Sequence, residues 1–347
     1  MTVYIGVDFH PYEQTVAYVD ENDGEIRHRQ FRHTDKAAIK TFYNKKGTDA
    51  VIGVEATGSL WWFERLLASN GQKLLIGDPR LIRRVALSRH KNDFRDADTI
   101  LDLLVDSRFP ELRVRSEESR LILQALIHRR SLVQKRTSTA NQLQAFARQK
   151  GLDKFRMTAK PAPDRLLGAA SENETETLVV RSRLTLYETL SREIALMDEM
   201  LNKEADKEKD ATRLRTHPGI GVLTSLALVH TLGDVKRFRR KEEVVAFAGL
   251  DPLDHSSGEK RRIGHISKHG SPLLRYLLGQ AAQTCRAASV REHYLSVSRR
   301  RGRPKAKVAA ARKLLINCYV MLRDGIDYQE FARRGAKLAC TMGQERR

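Results

Sequence analysis

The first 110 residues alternate short apolar runs with longer segments whose apolar residues recur at helical spacing. Asp23-Gly24 lies between the second and third runs, where Asp-Gly is typical of a hairpin turn. Thr34, Ser59 and Asp78 each stand where they can cap a helix. The five apolar runs, each predicted to form a β-strand, cover residues 3–8, 14–20, 26–32, 50–55 and 73–76.

The order of these elements predicts the topology of the N-terminal region. Three antiparallel strands are followed by helix, strand, helix, strand and helix, which is the order of a ribonuclease-H-like fold. In that order the first and fourth strands lie side by side at the centre of the sheet. We therefore expect an α/β domain at the front of the chain and a mainly α-helical region behind it.

Two of the predicted strands end in a carboxylate, Asp8 and Glu55, which adjacent strands would place close together. An isolated aspartate after a strand is more often a turn cap, but further acids follow. Asp93 and Asp96 share one face of the next predicted helix, whereas Asp98 points elsewhere. Such carboxylates repel one another unless a cation neutralises them, and their hard oxygen atoms favour Mg²⁺. Paired Mg²⁺ ions can activate a nucleophile and stabilise the leaving oxygen in phosphoryl transfer.

Long helical segments fill the middle of the chain. Apolar spacing predicts one helix from Ser116 to Lys150 and a second, heavily charged helix from Leu178 to Lys209. Residues 151–175 between them are predicted to be a linker or loop. Two long amphipathic helices joined in this way predict an antiparallel coiled-coil arm, which either dimerises or follows a nucleic acid.

A Pro-Gly-Ile-Gly turn opens the last third of the chain and precedes a predicted apolar helix, 223–232. The backbone N–H groups at Gly219 and Gly221 can face a phosphate, as in helix-hairpin-helix modules. The same pattern also forms ordinary turns after a helix.

A second loop follows, in which Ser256 and Ser257 precede Gly258 and a cluster of cations. A serine among cations can attack a phosphodiester, because the cations stabilise both its alkoxide and the charge on phosphorus. A serine in a basic loop is more often only a hydrogen-bond donor to phosphate. The cations of this loop are Lys260, Arg261, Arg262 and Lys268.

Basic residues are concentrated towards the C-terminus. The formal net charge is +20, from 63 basic and 43 acidic residues, and residues 1–110 contain 16 of each. The whole excess lies after residue 110 and indicates a polyanionic partner for that part of the chain. Its densest run, residues 299–307, is predicted to precede a helix (308–322) and is expected to contact phosphates with an affinity that falls with salt. The predicted contact residues of this run are Arg300, Arg301, Arg303, Lys305 and Lys307.

The length of 347 residues is sufficient for two or three domains with large cores. Cys285, Cys318 and Cys340 are far apart, which argues against a disulfide framework or zinc site and for a reducing compartment. No apolar run is long enough for a membrane span, and no signal segment precedes the first strand. We therefore expect a cytoplasmic protein without a membrane partner.

Seven short motifs, in order across about 260 residues, carry a family resemblance. They are Ile5–Asp8, Val54–Gly58, Lys91–Ala97, His217–Gly221, Phe247–Leu250, Ser256–Gly258 and Ile266–Gly270. Together they resemble the DEDD transposases of bacterial insertion sequences, the bridge-RNA-guided serine recombinases to which the Piv-type DNA invertases are related.

The resemblance implies a RuvC-like Mg²⁺ site in the N-terminal domain. It also implies that Ser257, directly before Gly258, is the nucleophile that joins a DNA 5′ phosphate. Because Ser256 is adjacent, this assignment rests on the position before the glycine. The metal ligands implied by the resemblance are Asp8, Glu55, Asp93 and Asp96.

The resemblance further implies the partners and the assembly. Donor and target DNA would pair with a noncoding bridge RNA, which delegates the choice of sequence to base pairing. The implied assembly is a tetramer, a dimer of dimers, in which the acidic domain of one subunit meets the serine domain of another. A nucleoid-associated bacterial protein is expected.

Four regions are therefore predicted. They are a RuvC-like DEDD domain (1–110), long helices forming the coiled-coil arm (111–210), a C-terminal transposase domain with the serine loop (211–330) and a flexible basic tail (331–347). The predicted function is RNA-guided DNA recombination for a mobile element. The alternatives are a RuvC-like junction-resolving endonuclease that uses metal-activated water, a site-specific invertase of the same family, and a nucleic-acid-binding architectural protein with a vestigial acidic site.

Overall fold

The chain folds into two units, Met1–Val114 and Arg115–Arg347, and each has its own apolar core. The computed structural model describes residues 2–21, 23–85, 93–254 and 263–335, with the backbone alone at residues 85, 93–95, 254 and 263. None of the helices within these ranges combines the length and the apolar character that a transmembrane span requires.

A five-stranded sheet is the centre of the N-terminal unit. Its strands are β1 (Val3–Phe9), β2 (Glu13–Asp20), β3 (Arg27–Arg32), β4 (Val51–Glu55) and β5 (Leu74–Gly77). They lie in the order β3-β2-β1-β4-β5, with β1 antiparallel to β2 and parallel to β4. This is the predicted strand order of a ribonuclease-H-like sheet, and the predicted adjacency of the first and fourth strands is confirmed.

The helices described in this unit are α1 (Lys36–Asn44), α2 (Trp61–Ser69), α3 (Pro79–Val85) and α4 (Asp93–Val105). Asp78 caps α3 as predicted, because its Oδ1 accepts the backbone N–H of Arg80 at 2.8 Å. The prediction of Thr34 as the cap of α1 is wrong, since Asp35 accepts a first-turn N–H instead, at 3.0 Å. Ser59 is also not a cap, because α2 begins without a side-chain cap.

Helix α4 packs directly across one face of the sheet, and two glycines make room for it. A Cβ atom at Gly6 would lie 2.3 Å from the carbonyl oxygen of Ala97, and one at Gly53 would lie 2.9 Å from a methyl group of Leu104. Because alternate residues of a strand face opposite sides, these glycines mark the faces of β1 and β4 that lie under α4. Helices α1 and α2 cover the opposite face, around the fully buried Tyr43.

The C-terminal unit begins with α5 (Glu117–Gln149), α6 (Ala162–Ala170) and α7 (Glu174–Lys207). Helices α5 and α7 run antiparallel: Nε of Arg129 lies 2.7 Å from Oδ1 of Asp198, and Nζ of Lys150 lies 2.6 Å from Oε2 of Glu176. The prediction of two long helices is confirmed. The prediction that only a loop joins them is wrong, because α6 forms there and buries Leu166 against both long helices.

Shorter helices and a small hairpin complete the described part of this unit. They are α8 (Lys209–Arg215), α9 (Val222–Leu232), a 3₁₀ helix (Val235–Arg237), α10 (Lys241–Phe247), β6 (Pro252–Asp254), β7 (Ile263–Ile266), α11 (Pro272–Thr284), α12 (Ala288–Arg301) and α13 (Arg303–Asp324). Helices α9, α11 and α13 pack around the fully buried Leu226, Leu278 and Leu314.

Two predictions about the C-terminal sequence need correction. The basic run was expected to precede a helix, but it forms the end of α12 and the start of α13, divided by Gly302 at φ 81°. Lys and Arg are good helix formers, so only the glycine interrupts the helical backbone. The predicted flexible tail also begins too early, because residues 328–335 are helical and Phe331 packs against the core.

Candidate active site

Asp8 and Glu55 lie at matching positions on neighbouring parallel strands. Val7 of β1 pairs with Val54 of β4, and each carboxylate is the next residue along its strand. Because side chains alternate along a strand, both carboxylates share the face of the glycines two residues before them, which is the face under α4. The sheet therefore brings two of the predicted metal ligands together.

Both carboxylates have a basic partner in this structure. Oδ2 of Asp8 lies 3.1 Å from Nε2 of His10, and Oε1 of Glu55 lies 3.2 Å from Nη2 of Arg83 on α3. Basic partners at both positions are the expected response to concentrated negative charge. Neither partner was predicted from the sequence. His10 follows Asp8 by only two residues, so this contact could have been predicted from the sequence. Only the fold brings Arg83 to Glu55.

Helix α4 carries the other predicted ligands. Asp96 is exposed, and Oδ1 of Asp98 lies 2.6 Å from Nε2 of His28 on β3. The side chain of Asp93 lies outside the described residues. Among the side chains that are described, no three His, Cys, Asp or Glu residues are close enough to hold a metal ion. The complete four-carboxylate site therefore stays a prediction.

The donor chemistry at this face nevertheless fits a divalent cation. Asp8 and Glu55 offer only carboxylate oxygen atoms, which are the ligands that hard cations such as Mg²⁺ prefer. Oδ2 of Asp8 is shielded from solvent, so its attraction for a cation is screened less than that of a surface carboxylate.

The predicted nucleophile belongs to the connection between β6 and β7. We call the segment Pro252–Ile266, which contains both strands and this connection, the serine hairpin. Its two strands pair antiparallel. The serines and three of the predicted cations lie outside the described residues, so their roles stay predictions. These residues are Ser256, Ser257, Lys260, Arg261 and Arg262.

The base of the serine hairpin is held by a close crossing of two backbone segments. A Cβ atom at Gly249 would lie 2.7 Å from the amide nitrogen of Gly270, and one at Gly270 would lie 2.1 Å from the carbonyl oxygen of Phe247. Nη1 of Arg275 donates to the carbonyl oxygens of Gly270 and Ala248, at 2.7 and 3.2 Å. The crossing holds the chain just before β6 against the chain just after β7.

The Pro-Gly-Ile-Gly turn is tied into the core. The N–H groups of Gly219 and Ile220 donate to the carbonyl oxygen of His217, at 2.8 and 3.0 Å. A Cβ atom at Gly219 would lie 2.7 Å from Sγ of Cys285. The Gly219 N–H is thus used within the turn, and its predicted contact with a phosphate stays a prediction. Gly221 begins α9 with open space beside its Cα, and its phosphate contact stays a prediction.

The other predicted nucleic-acid contacts are surface cations. Lys307 is an exception, since its Cε would lie 3.0 Å from a Cβ atom at Gly279 and its side chain therefore runs along α11. Their contacts with a nucleic acid stay predictions. The exposed members of this group are Lys268, Arg300, Arg301, Arg303 and Lys305.

Comparison with known protein families matches two stretches of the chain to transposases. A model for DEDD transposases of the IS110 type, described as "Transposase", matches residues 5–150. A second, described as "Transposase IS116/IS110/IS902 family", matches residues 211–295. The first stretch contains all four predicted metal ligands and indicates the use of a divalent metal ion. The second contains the serine hairpin.

Individual relatives give the same result. The transposase for insertion sequence element IS1111A of Coxiella burnetii is 30% identical over 236 residues, which cover 67% of this chain and 65% of the relative. The transposase for IS1328 of Yersinia enterocolitica is 29% identical over 236 residues, covering 67% of this chain and 70% of the relative. A putative transposase of Sinorhizobium fredii, y4pF/y4sB, is 26% identical over 298 residues, covering 82% and 76%.

Proposed function

This chain belongs to the IS110 family of insertion-sequence transposases, enzymes that break and rejoin DNA strands, and we propose that an RNA guides it and that it acts through a covalent serine–DNA intermediate. The observation that carries the metal-dependent part of the proposal is the placement of Asp8 and Glu55 side by side on the sheet face under α4. The proposed nucleophile belongs to the serine hairpin, which lies within the second family match.

In the proposed metal site, α4 adds its two carboxylates to those of β1 and β4. When bound, Mg²⁺ stabilises negative charge on the phosphate and on the oxygen atoms that enter and leave. The β1–β4 pairing fixes the spacing of the first two ligands, while Arg83 balances part of the charge of Glu55. The proposed ligands are Asp8, Glu55, Asp93 and Asp96.

The proposed nucleophile is Ser257. Its Oγ loses its proton and forms a bond to the phosphorus, while the bond between phosphorus and the 3′ oxygen breaks and that oxygen takes up a proton. The 5′ phosphate stays on the serine until a new 3′ hydroxyl loses its proton and attacks the phosphorus. The bond between phosphorus and Oγ then breaks and Oγ takes up a proton, so water is not consumed. Cations of the serine hairpin, from Lys260 to Arg262, would stabilise the charge on phosphorus.

The proposed partners are donor DNA, target DNA and a noncoding bridge RNA that pairs with both. The charge-neutral front of the chain gives little affinity for polyanions, so the basic remainder would supply it. We propose a tetramer in which the carboxylates of one subunit act with the serine of another. The α5–α7 pair is proposed to act as a coiled-coil arm. Exposed apolar residues on it, among them Ile127, Leu178 and Leu196, favour contact between subunits.

The test compares Ser257→Ala with Ser256→Ala. Each variant is incubated with bridge RNA, Mg²⁺ and paired donor and target DNA, and covalent adducts are trapped by denaturation. We expect Ser257→Ala to lose both the adduct and the recombined product, while Ser256→Ala keeps both. An adduct that persists in Ser257→Ala would show that another residue is the nucleophile.

The products also separate the alternatives. A RuvC-like nuclease that uses metal-activated water would release cleaved strands with free ends and no adduct. A site-specific invertase would form the same adduct but reverse the segment between two sites. An architectural protein would bind DNA and leave every strand intact.

A further inference from the structure

A cavity of about 490 Å³ lies in the C-terminal unit, beside the base of the serine hairpin. Its volume is within the range of about 300–1,000 Å³ that is typical of ligand pockets. Strands β6 and β7 form one wall and α13 forms the other, with α12 at the edge. Its described lining residues include none of the predicted catalytic residues.

The walls of this hairpin cavity are apolar. Pro252 and Ile266 contribute from the two strands of the hairpin, and Ala309 and Ile316 contribute from α13. Ile266, Ala309 and Ile316 are each partly exposed because they border the opening. A slot lined in this way suits a flat, weakly polar group, which it can remove from water.

The rim of the cavity is cationic. Lys305, Arg312 and Lys313 recur on the face of α13 that carries the apolar residues, and His293 adds an imidazole from α12. Among the lining residues that the structure describes there is no aspartate or glutamate. Burial lowers the pKa of His293, and the positive charges of Lys313 and Arg300 lower it further. The described residues of the rim therefore give it a positive potential.

An occupant must match both features. A free phosphate would satisfy the rim but leave the apolar walls against water, and an apolar ligand would leave the cations without a counter-charge. A duplex keeps its bases stacked and paired, so it cannot place a base between the apolar walls. A nucleotide of a single strand has both parts, because its base has an apolar face and its phosphate is an anion.

We propose that the hairpin cavity binds one unstacked nucleotide of a single-stranded nucleic acid, with the base between the hairpin and α13 and the flanking phosphates at Lys305, Arg312 and Lys313. Pro252 in the cavity wall is only five residues before Ser257 in the chain. A strand anchored here would be held at the base of the hairpin that contains the proposed nucleophile. The inference rests on the proposed function only in requiring a nucleic acid as partner.

The test measures whether binding depends on bases, using the full-length protein and fluorescently labelled short single strands. Matched DNA and RNA strands are prepared with and without bases at their central positions. We expect wild type to bind the intact strand about 10-fold more tightly than the abasic one, the effect expected for one stacked base. If the intact strand is preferred only for DNA, or only for RNA, the result supports the proposal and identifies which kind of strand the cavity binds.

A cavity-filling variant and its control locate the effect. Ala309→Trp places an indole in the slot without changing a charge, so the difference between intact and abasic strands should disappear. Leu295→Trp adds the same group at an exposed position of α12 outside the cavity and should keep the difference. An intact-to-abasic difference that survives in Ala309→Trp would overturn the proposal.

A second measurement needs only wild-type protein. Strands containing 5-iodouracil are irradiated in complex with it, and the crosslinked peptides are identified by mass spectrometry. Crosslinks to the peptides of Pro252, Ile266 or Ile316 are expected, and crosslinks that avoid all three would overturn the proposal. The assay involves no strand cleavage, so it is independent of whether Ser257 forms an adduct.

Discussion

The carboxylate pair and the serine hairpin are held in place by different means. Asp8 and Glu55 lie at the ends of two strands that pair through four consecutive residue pairs within the sheet. The strands of the serine hairpin have only two such pairs, with an irregularity between them, and depend on the Gly249–Gly270 crossing at their base. The core fixes the carboxylates, whereas a backbone crossing fixes the hairpin.

This difference corresponds to what each group must do. Metal ligands act only when they are held within about 0.5 Å of the coordinating geometry, which paired strands in a core provide. A nucleophile that must meet a DNA strand needs a fixed base and a reach beyond it. The charges divide in the same way, because the front of the chain is neutral and the entire +20 excess follows residue 110.

The test with the largest expected effect adds one methyl group at each of two close contacts, the packing of α4 on the sheet and the Gly249–Gly270 crossing. Gly6→Ala would push a Cβ atom against the backbone of α4, and Gly270→Ala would push one against the backbone at Phe247. Each clash involves backbone atoms that cannot rotate away, so each should lower the free energy of unfolding by about 3 kcal/mol, the upper part of the range for overpacking.

Separate probes assign each loss to its unit. Trp61 and Trp62 are the two tryptophans of the chain, so fluorescence reports the N-terminal unit, while far-UV circular dichroism reports mainly the helical C-terminal unit. Gly6→Ala should shift the fluorescence transition and Gly270→Ala the dichroism transition. Gly58→Ala and Gly168→Ala, whose added methyl groups meet open space, are the matched controls. If fluorescence and circular dichroism showed equal shifts in both variants, the assignment of each loss of stability to one unit would be contradicted.

Acid should weaken the C-terminal unit through His217. Burial lowers the pKa of this imidazole to about 4. The unfolded chain therefore takes up a proton that the folded chain does not, and the free energy of unfolding falls as the pH drops through the window between about 6.5 and about 4. We expect the titration of His217 to lower the free energy of unfolding by about 2 kcal/mol between neutral pH and a pH of about 4.5.

The measurement is denaturant unfolding followed by circular dichroism across that pH window. His217→Gln removes the titrating group, so its stability should fall less steeply on acidification than that of wild type, whatever its stability at neutral pH. His265→Gln, at an exposed position, should keep the wild-type slope. Parallel slopes for wild type and His217→Gln would show that His217 is not the source of the acid sensitivity.

The sequence predicted the N-terminal fold well because its strands are runs of β-forming residues between clear turn signals. Once the strand order was known, the adjacency of Asp8 and Glu55 followed from topology. The serine hairpin could not be predicted in the same way. Its strands have three and four residues, too few for a periodic pattern, and they form because the Gly249–Gly270 crossing brings them together.

Other errors have similar physical causes. Helix α6 was missed because prolines and polar residues surround it, although Ala162, Leu166 and Ala170 at intervals of four residues bury one face. Helix α13 begins earlier than predicted because Pro304 stands in its first turn, where its missing N–H costs nothing. The partner of Glu55 was not predictable, since Arg83 reaches it from a helix 28 residues further along the chain.

Arg83 gives the smallest predicted effect and the finest test of how the carboxylate pair is held. Its guanidinium is 77% exposed beside Glu55, so the pair contributes at most about 1 kcal/mol. A metal ion and Arg83 compete for the same carboxylate, and Arg83→Gln should therefore tighten divalent-ion binding by up to about 5-fold, the equivalent of that energy. Calorimetric titration with Mg²⁺ measures the change. Arg80→Gln, which loses a similar surface pair with Asp78, should leave the affinity unchanged. Weaker binding in Arg83→Gln would mean that the arginine positions Glu55 for the metal, so that the strands alone do not fix the site.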